Sequence, residues 1–180
     1  MQTKTKEQVL FIFLQVIAWV FFIGLSIEAG GLIVNFVFSL FKPDFIQHLY
    51  QKLDLTDLYQ RSQLSFFGLY GFILVIAILK ALLFYVAIRL MSKMDLSKPF
   101  NSFVSKQISF IAYYTLSIGL LSHIARATAN ALLGANLLAD KLNTFWDDGQ
   151  AYILMAAVIY IIATIFKRGV EIQNENDLTV

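Results

Sequence analysis

Three ionisable residues interrupt long apolar stretches of this chain: Glu28 in IGLSIEAGGLIV, Lys80 in VIAILKALLF and Arg126 in LLSHIARATAN. A charge in hydrocarbon is costly unless it is paired, hydrated or able to reach the interface, so each marks a structural ion pair or a polar site. His123, Arg126 and Asn130 recur at spacings of three and four, which puts them on one helical face, with Ser122 beside them. Glu28, Lys80, His123, Arg126 and Asn130 are therefore the candidate functional polar residues. One reading is an outward-opening pocket that holds a ligand, an ion or a proton. The other is that Glu28 and Arg126 mark the outer membrane boundary and pair structurally, while Lys80 snorkels to the inner side.

Other chemistry finds little support. There is no Cys, which excludes disulfides, thiolate metal sites and cysteine nucleophiles. His48 and His123 are the two histidines and lack a metal-ligand spacing such as HExxH, so no metal site is expected. Neither GxGxxG nor GxxxxGK[ST] occurs, and no Ser-His-acid arrangement or pair of intramembrane carboxylates can be read. The expectation is no catalytic residue, no cofactor and no enzyme. A net charge of +2 is too small to imply direct nucleic-acid binding.

The elements that must position these residues follow from hydropathy. Of 180 residues, 58% are hydrophobic and 14% charged, with a mean hydropathy of +0.69. Soluble domains run at about 45–50% apolar and about 25% charged, so this chain is displaced towards the membrane on both counts. Four apolar segments predict spans at 9–38, 64–90, 108–128 and 150–167. The fold expected is all-α, a bundle of four transmembrane helices, in one integral membrane domain with a tail at 169–180. The first connection places Phe45, Leu49 and Leu53 at i+4, and Leu132 to Phe145 has a similar character. Both predict amphipathic or extended helices on the extracytoplasmic side. Pro99 makes the second connection a turn.

The basic residues set the orientation. Lys4, Lys6, Arg89, Lys93, Lys98, Lys106, Lys167 and Arg168 fall on one side, and Lys42, Lys52, Arg61 and Lys141 on the other. Eight against four puts both termini in the cytoplasm. At 1.5 Å per residue, Glu28 lies about 28 Å above Val9, Arg126 about 27 Å above Ile108, and Lys80 about 15 Å above Leu90. This arithmetic brings Glu28 and Arg126 to one level and leaves Lys80 with no acidic residue at its own. Gly24, Gly30, Gly31, Gly68 and Gly71, with Ala125 and Ala129, are the expected points of close helix approach. Trp19 is expected in the packing; Trp146 and Tyr152 are expected as interface anchors.

The chain ends in KRGVEIQNENDLTV, and KPFNS lies between spans two and three. With the four-span layout, these segments resemble a family of small bacterial membrane proteins catalogued as domain of unknown function 2975. Two details depart from its pattern: Asn101 stands between Phe100 and Ser102, and Ile172 replaces a commoner Leu. The resemblance implies a multi-pass protein of the bacterial plasma (inner) membrane without assigned catalysis. It also implies a cytosolic partner, a small helix-turn-helix regulator. The tail residues Glu171, Glu175, Asp177, Leu178 and Val180 are the candidate contacts, and the acidic ones can also pair with Lys93, Lys98 and Lys106. The function expected is regulatory, sensing or scaffolding, in contact with membrane lipids. The alternative is a transporter or channel subunit with a polar path near Glu28, Lys80, His123 and Arg126, as a homo-oligomer if one chain is too small.

Overall fold

In the membrane interior water offers no partners to the backbone, so a spanning segment must satisfy its own amides as a helix. The computed structural model, which describes residues 6–42, 46, 49, 54–95, 99–134 and 137–177, follows that rule. Its helices are α1 (Lys6–Phe41), α2 (Thr56–Arg61), α3 (Gln63–Lys93), α4 (Ser102–Leu133), α5 (Leu137–Asn143) and α6 (Gly149–Asp177). No strand forms among the described residues. Helices α1, α3, α4 and α6 are long and apolar enough to cross a membrane. The fold is the expected all-α arrangement of four spanning helices.

Local sequence sets the helix ends. Ser62 caps α3 by accepting from the Ser65 amide at 3.2 Å, and Asn101 caps α4 by accepting from the Val104 amide at 2.9 Å. Gly134 stops α4 in a backbone conformation with φ of 66°, which a residue with a Cβ rarely adopts. Two helices run further than hydropathy indicates. The mixed sequence after Leu121 stays helical to Leu133, because its small residues Ala125 and Ala129 are fully buried in the core. The segment after Arg168, expected as a tail, continues α6 to Asp177.

The spanning helices pack in chain order: α1 on α3, α3 on α4, α4 on α6. Alternation of direction brings the start of α1 and the end of α6 to the same end of the molecule. The outer helix α1 is the least covered: 6% of its most apolar stretch is buried, against 33% in α3 and in α4. At the opposite end the connections fold inward. Ile46, Leu49, Leu55, Leu58, Leu142 and Trp146 join Leu32, Phe66, Leu69 and Ile118 in one buried cluster. The predicted amphipathic character is thus used to plug the end of the bundle.

Several expectations are corrected. Trp146 is not an interface anchor: it is 2% exposed, and its indole N–H donates to Asn143 Oδ1 at 3.2 Å. Trp19 is the exposed one, at 45%, resting edge-on against Phe22. Gly24, Gly30, Gly68 and Gly71 have no neighbour that an added Cβ would meet. Close approach falls instead to Gly119 and Gly149, between α4 and α6. A Cβ on Gly119 would lie 2.6 Å from Ile153 Cγ1 and 2.9 Å from the Ile153 nitrogen. One on Gly149 would lie 2.9 Å from Ser122 Cβ. His48, Lys98, Leu178, Val180 and most of the helix expected at 45–53 lie outside the described residues.

Candidate functional site

Register between α1 and α3 decides where the charged residues meet. Gln15 Nε2 donates to Ser92 Oγ at 2.9 Å, Phe21 stacks on Phe84 at 5.3 Å, and Phe36 stacks on Tyr70 at 5.6 Å. The Tyr70 hydroxyl donates to the Leu32 carbonyl at 3.2 Å. This antiparallel ladder sets Glu28 opposite the turn that carries Lys80. Both line one pocket of about 80 Å³, with Ile73, Ile76, Ala77, Thr144 and Phe145. That volume suits about two water molecules. Glu28 and Lys80 share the pocket without closing a direct ion pair. Lys80 Nζ also lies 5.9 Å from the centre of the Tyr152 ring, a cation–π contact from α3 to the start of α6.

Lys80 therefore does have an acidic residue at its level, contrary to the depth arithmetic. The arithmetic set Val9 level with Leu90, whereas Gln15 pairs with Ser92. The difference is about eight residues, or about 12 Å of rise. It moves Glu28 down from the outer boundary to Lys80.

Arg126 takes a different partner from the one expected. Its Nη2 donates to Asp147 Oδ1 at 2.5 Å and to the Asp147 carbonyl at 3.2 Å. This ties α4 to the turn before α6, and both side chains keep solvent contact, 38% and 61% exposed. The Glu28–Arg126 pair is not formed. Asp147 was the missed residue, and its signal was present: it precedes span four at the boundary where Arg126 ends the apolar part of span three. His123 and Asn130 share the Arg126 face of α4 but are exposed there. The Asn130 carbonyl accepts from the Gly134 amide at 3.0 Å in the helix cap. Three of the five candidate residues thus fall into two separate groups, Glu28 with Lys80 and Arg126 with Asp147. His123 and Asn130 stand outside both.

At the other end, Phe100 meets α6. The Phe100 ring lies 5.1 Å from that of Phe166, and a Cβ on Gly169 would come within 2.6 Å of it. A side chain at 169 would force the Phe100 ring to move, and Asn101 caps α4 one residue later. Lys93 and Arg89 each rest 5.8 Å over the Phe103 ring. Glu171 pairs with Arg168 at 2.9 Å, one turn along its own helix, rather than with Lys93. It also lines a groove shared with Lys106 and Lys167.

Four helices long and apolar enough to cross a membrane define a multi-pass α-helical membrane protein. The family's sequence profile matches residues 43–180, and the chain belongs to that family, DUF2975, described as a protein of unknown function. The match takes in α2 to α6 and therefore Lys80, Arg126, Asp147 and both segments that meet at Phe100; α1 and Glu28 lie outside it. No curated protein and no solved structure matches the chain significantly.

Proposed function

We propose that the protein is a non-enzymatic component of the bacterial plasma membrane, with both termini in the cytoplasm, that holds a cytosolic partner on the end of α6. One observation carries this reading. Helix α6 continues nine residues past Arg168 and presents Ile172, 58% exposed, in an acidic and polar setting. Its base is fixed by Phe100 on Gly169, so the projecting turns have a set direction. A rigid helix with an exposed branched residue and Glu171 nearby suits a helix-in-groove contact with a basic-rimmed partner. The resemblance stated above supplies the candidate, a small helix-turn-helix regulator. A regulator held in this way would be kept from, or delivered to, DNA according to the state of the membrane protein.

A transport path has weaker support. The Glu28–Lys80 pocket is about 80 Å³ and is otherwise lined by Ile73, Ile76, Ala77, Thr144 and Phe145. Such a lining suits a charge pair that stabilises the α1–α3 contact.

The test is a mild-detergent pull-down with the tagged full chain, Ile172→Glu and a form lacking residues 174–180. The full chain is expected to recover a protein with a helix-turn-helix domain, and both altered forms to lose it at unchanged membrane levels. Equal recovery by all three, or recovery of chaperones alone, overturns the reading.

A further inference from the structure

The seam between α4 and α6 opens, below the glycine contact, into two cavities that share Tyr113. The first, about 320 Å³, is almost wholly apolar: Ala112 and Leu116 on α4 face Ile153, Ala156, Ala157 and Tyr160 on α6. The second, about 490 Å³, lies towards the basic end and is lined by Ser102, Ser105, Lys106, Ser109, Lys167 and Glu171 among others. From Lys106 to Leu116 is ten residues, about 15 Å along the helix. That is one leaflet of a hydrocarbon core about 30 Å thick. The groove is thus polar at headgroup level and apolar along the depth of one leaflet.

We propose that this groove is a binding site for an anionic membrane phospholipid, with the phosphate between Lys106 and Lys167 and one acyl chain along the α4–α6 seam. Charge complementarity selects the occupant. Lys106 and Lys167 are exposed, and the one acidic residue lining the groove, Glu171, is already engaged by Arg168 at 2.9 Å. The N-terminal turn of α4, begun by Ser102 behind its Asn101 cap, directs partial positive charge to the same place. Basic pockets between spanning helices at this level favour acidic headgroups over zwitterionic ones. Small residues at 112, 156 and 157 leave space along the apolar part, which an acyl chain would fill. The groove shares Glu171 with the surface proposed for the partner, but its lysines and apolar lining do not enter that reading.

The experiment measures binding and thermal stabilisation of the purified full chain in mild detergent micelles. These are doped with phosphatidylglycerol or phosphatidylcholine, or supplied with glycerol phosphate in solution. Phosphatidylglycerol is expected to bind and raise the melting temperature, with phosphatidylcholine and glycerol phosphate without effect. Lys106→Gln with Lys167→Gln is expected to weaken phosphatidylglycerol by about 25-fold, since each basic residue near an anionic headgroup contributes about fivefold. Its melting temperature without lipid should be unchanged, because both side chains are exposed. Ala157→Phe, which fills the apolar channel, is expected to weaken the lipid with both lysines intact. Lys42→Gln with Arg61→Gln, at the far end, should leave it unchanged. The site is overturned by equal response to phosphatidylcholine, by equal response to glycerol phosphate, by equal loss in the Lys42/Arg61 variant, or by unaltered binding in Ala157→Phe. An unaltered response in the Lys106/Lys167 variant does the same.

Discussion

The α4–α6 seam and the α1–α3 seam join helices of similar length in opposite ways. Between α4 and α6 the backbones touch: Gly119 meets Ile153 and Gly149 meets Ser122 with no room for a Cβ. Between α1 and α3 no such contact forms at Gly24 or Gly30, and aromatic rings pair across the seam as Phe21–Phe84, Phe22–Tyr85 and Phe36–Tyr70. The first seam lies wholly inside the family match, while the second joins α1, which lies outside it, to α3. Lipid tails are as apolar as the side chains, so helix association in a membrane depends on close packing and polar contacts rather than on escape from water. By that measure α4–α6 is the fixed part of the molecule, and α1 is an outer helix laid on α3.

The largest effect should come from prying the glycine seam apart. Gly119→Val sets a branched side chain against the Ile153 backbone, which cannot move without shifting α6. Overpacking of this kind costs about 3 kcal/mol. Gly68→Val adds the same side chain where nothing lies within 4 Å. It should change stability by no more than about 0.5 kcal/mol. Thermal unfolding of both variants in the same detergent checks the pair, and equal melting temperatures would remove the distinction between a tight and an open surface.

A middle-sized effect is expected from the charges that cross the looser seam. Lys80→Met leaves Glu28 without an opposite charge in its pocket, and Glu28→Gln does the converse. Each should destabilise, and the double variant should cost less than the two singles together by about 1 kcal/mol, within the range for groups sharing a site. Strict additivity would mean that the shared level of Glu28 and Lys80 has no energetic content. Arg126→Gln is the comparison, since its partner Asp147 lies elsewhere and the pair is partly exposed. It should not couple to Lys80.

These contrasts show what the sequence makes legible. Long apolar runs give four spans because each must form a helix whatever its neighbours do, and the even number puts the two ends together. Which residues face each other is another matter. In an apolar helix every face is apolar, so nothing in VIAILKALLF says how far α3 slides along α1, and a shift of about 12 Å separated Glu28 from Lys80 in the depth arithmetic. The glycines went astray for a related reason. Gly30 and Gly31 draw the eye because they adjoin each other, whereas Gly119 stands alone in SIGLLS and matters because of its partner on α6. Asp147 could have been matched to Arg126 from the boundary both occupy. Trp146 next to two aspartates has the composition of an interface anchor, and only the inward folding of the 137–148 connection makes it part of the core.

The smallest expected effect tests the seam that rings hold. Phe21 stacks on Phe84 at 5.3 Å with planes 19° apart, yet Phe21 is 54% exposed. In a water-soluble core, Phe→Ala costs about 3–5 kcal/mol, much of it the loss of apolar surface removed from water. Here detergent or lipid covers the surface whether or not the ring is present, so that part vanishes. What remains is the ring-pair contribution, about 0.5–1.5 kcal/mol. Phe21→Ala should therefore lower the melting temperature only slightly, and Phe84→Ala in the same background should add little, because the pair is already broken. A loss as large as that from Gly119→Val would show that α1 is bound to the rest as firmly as α6, and the order of the two seams would have to be reversed.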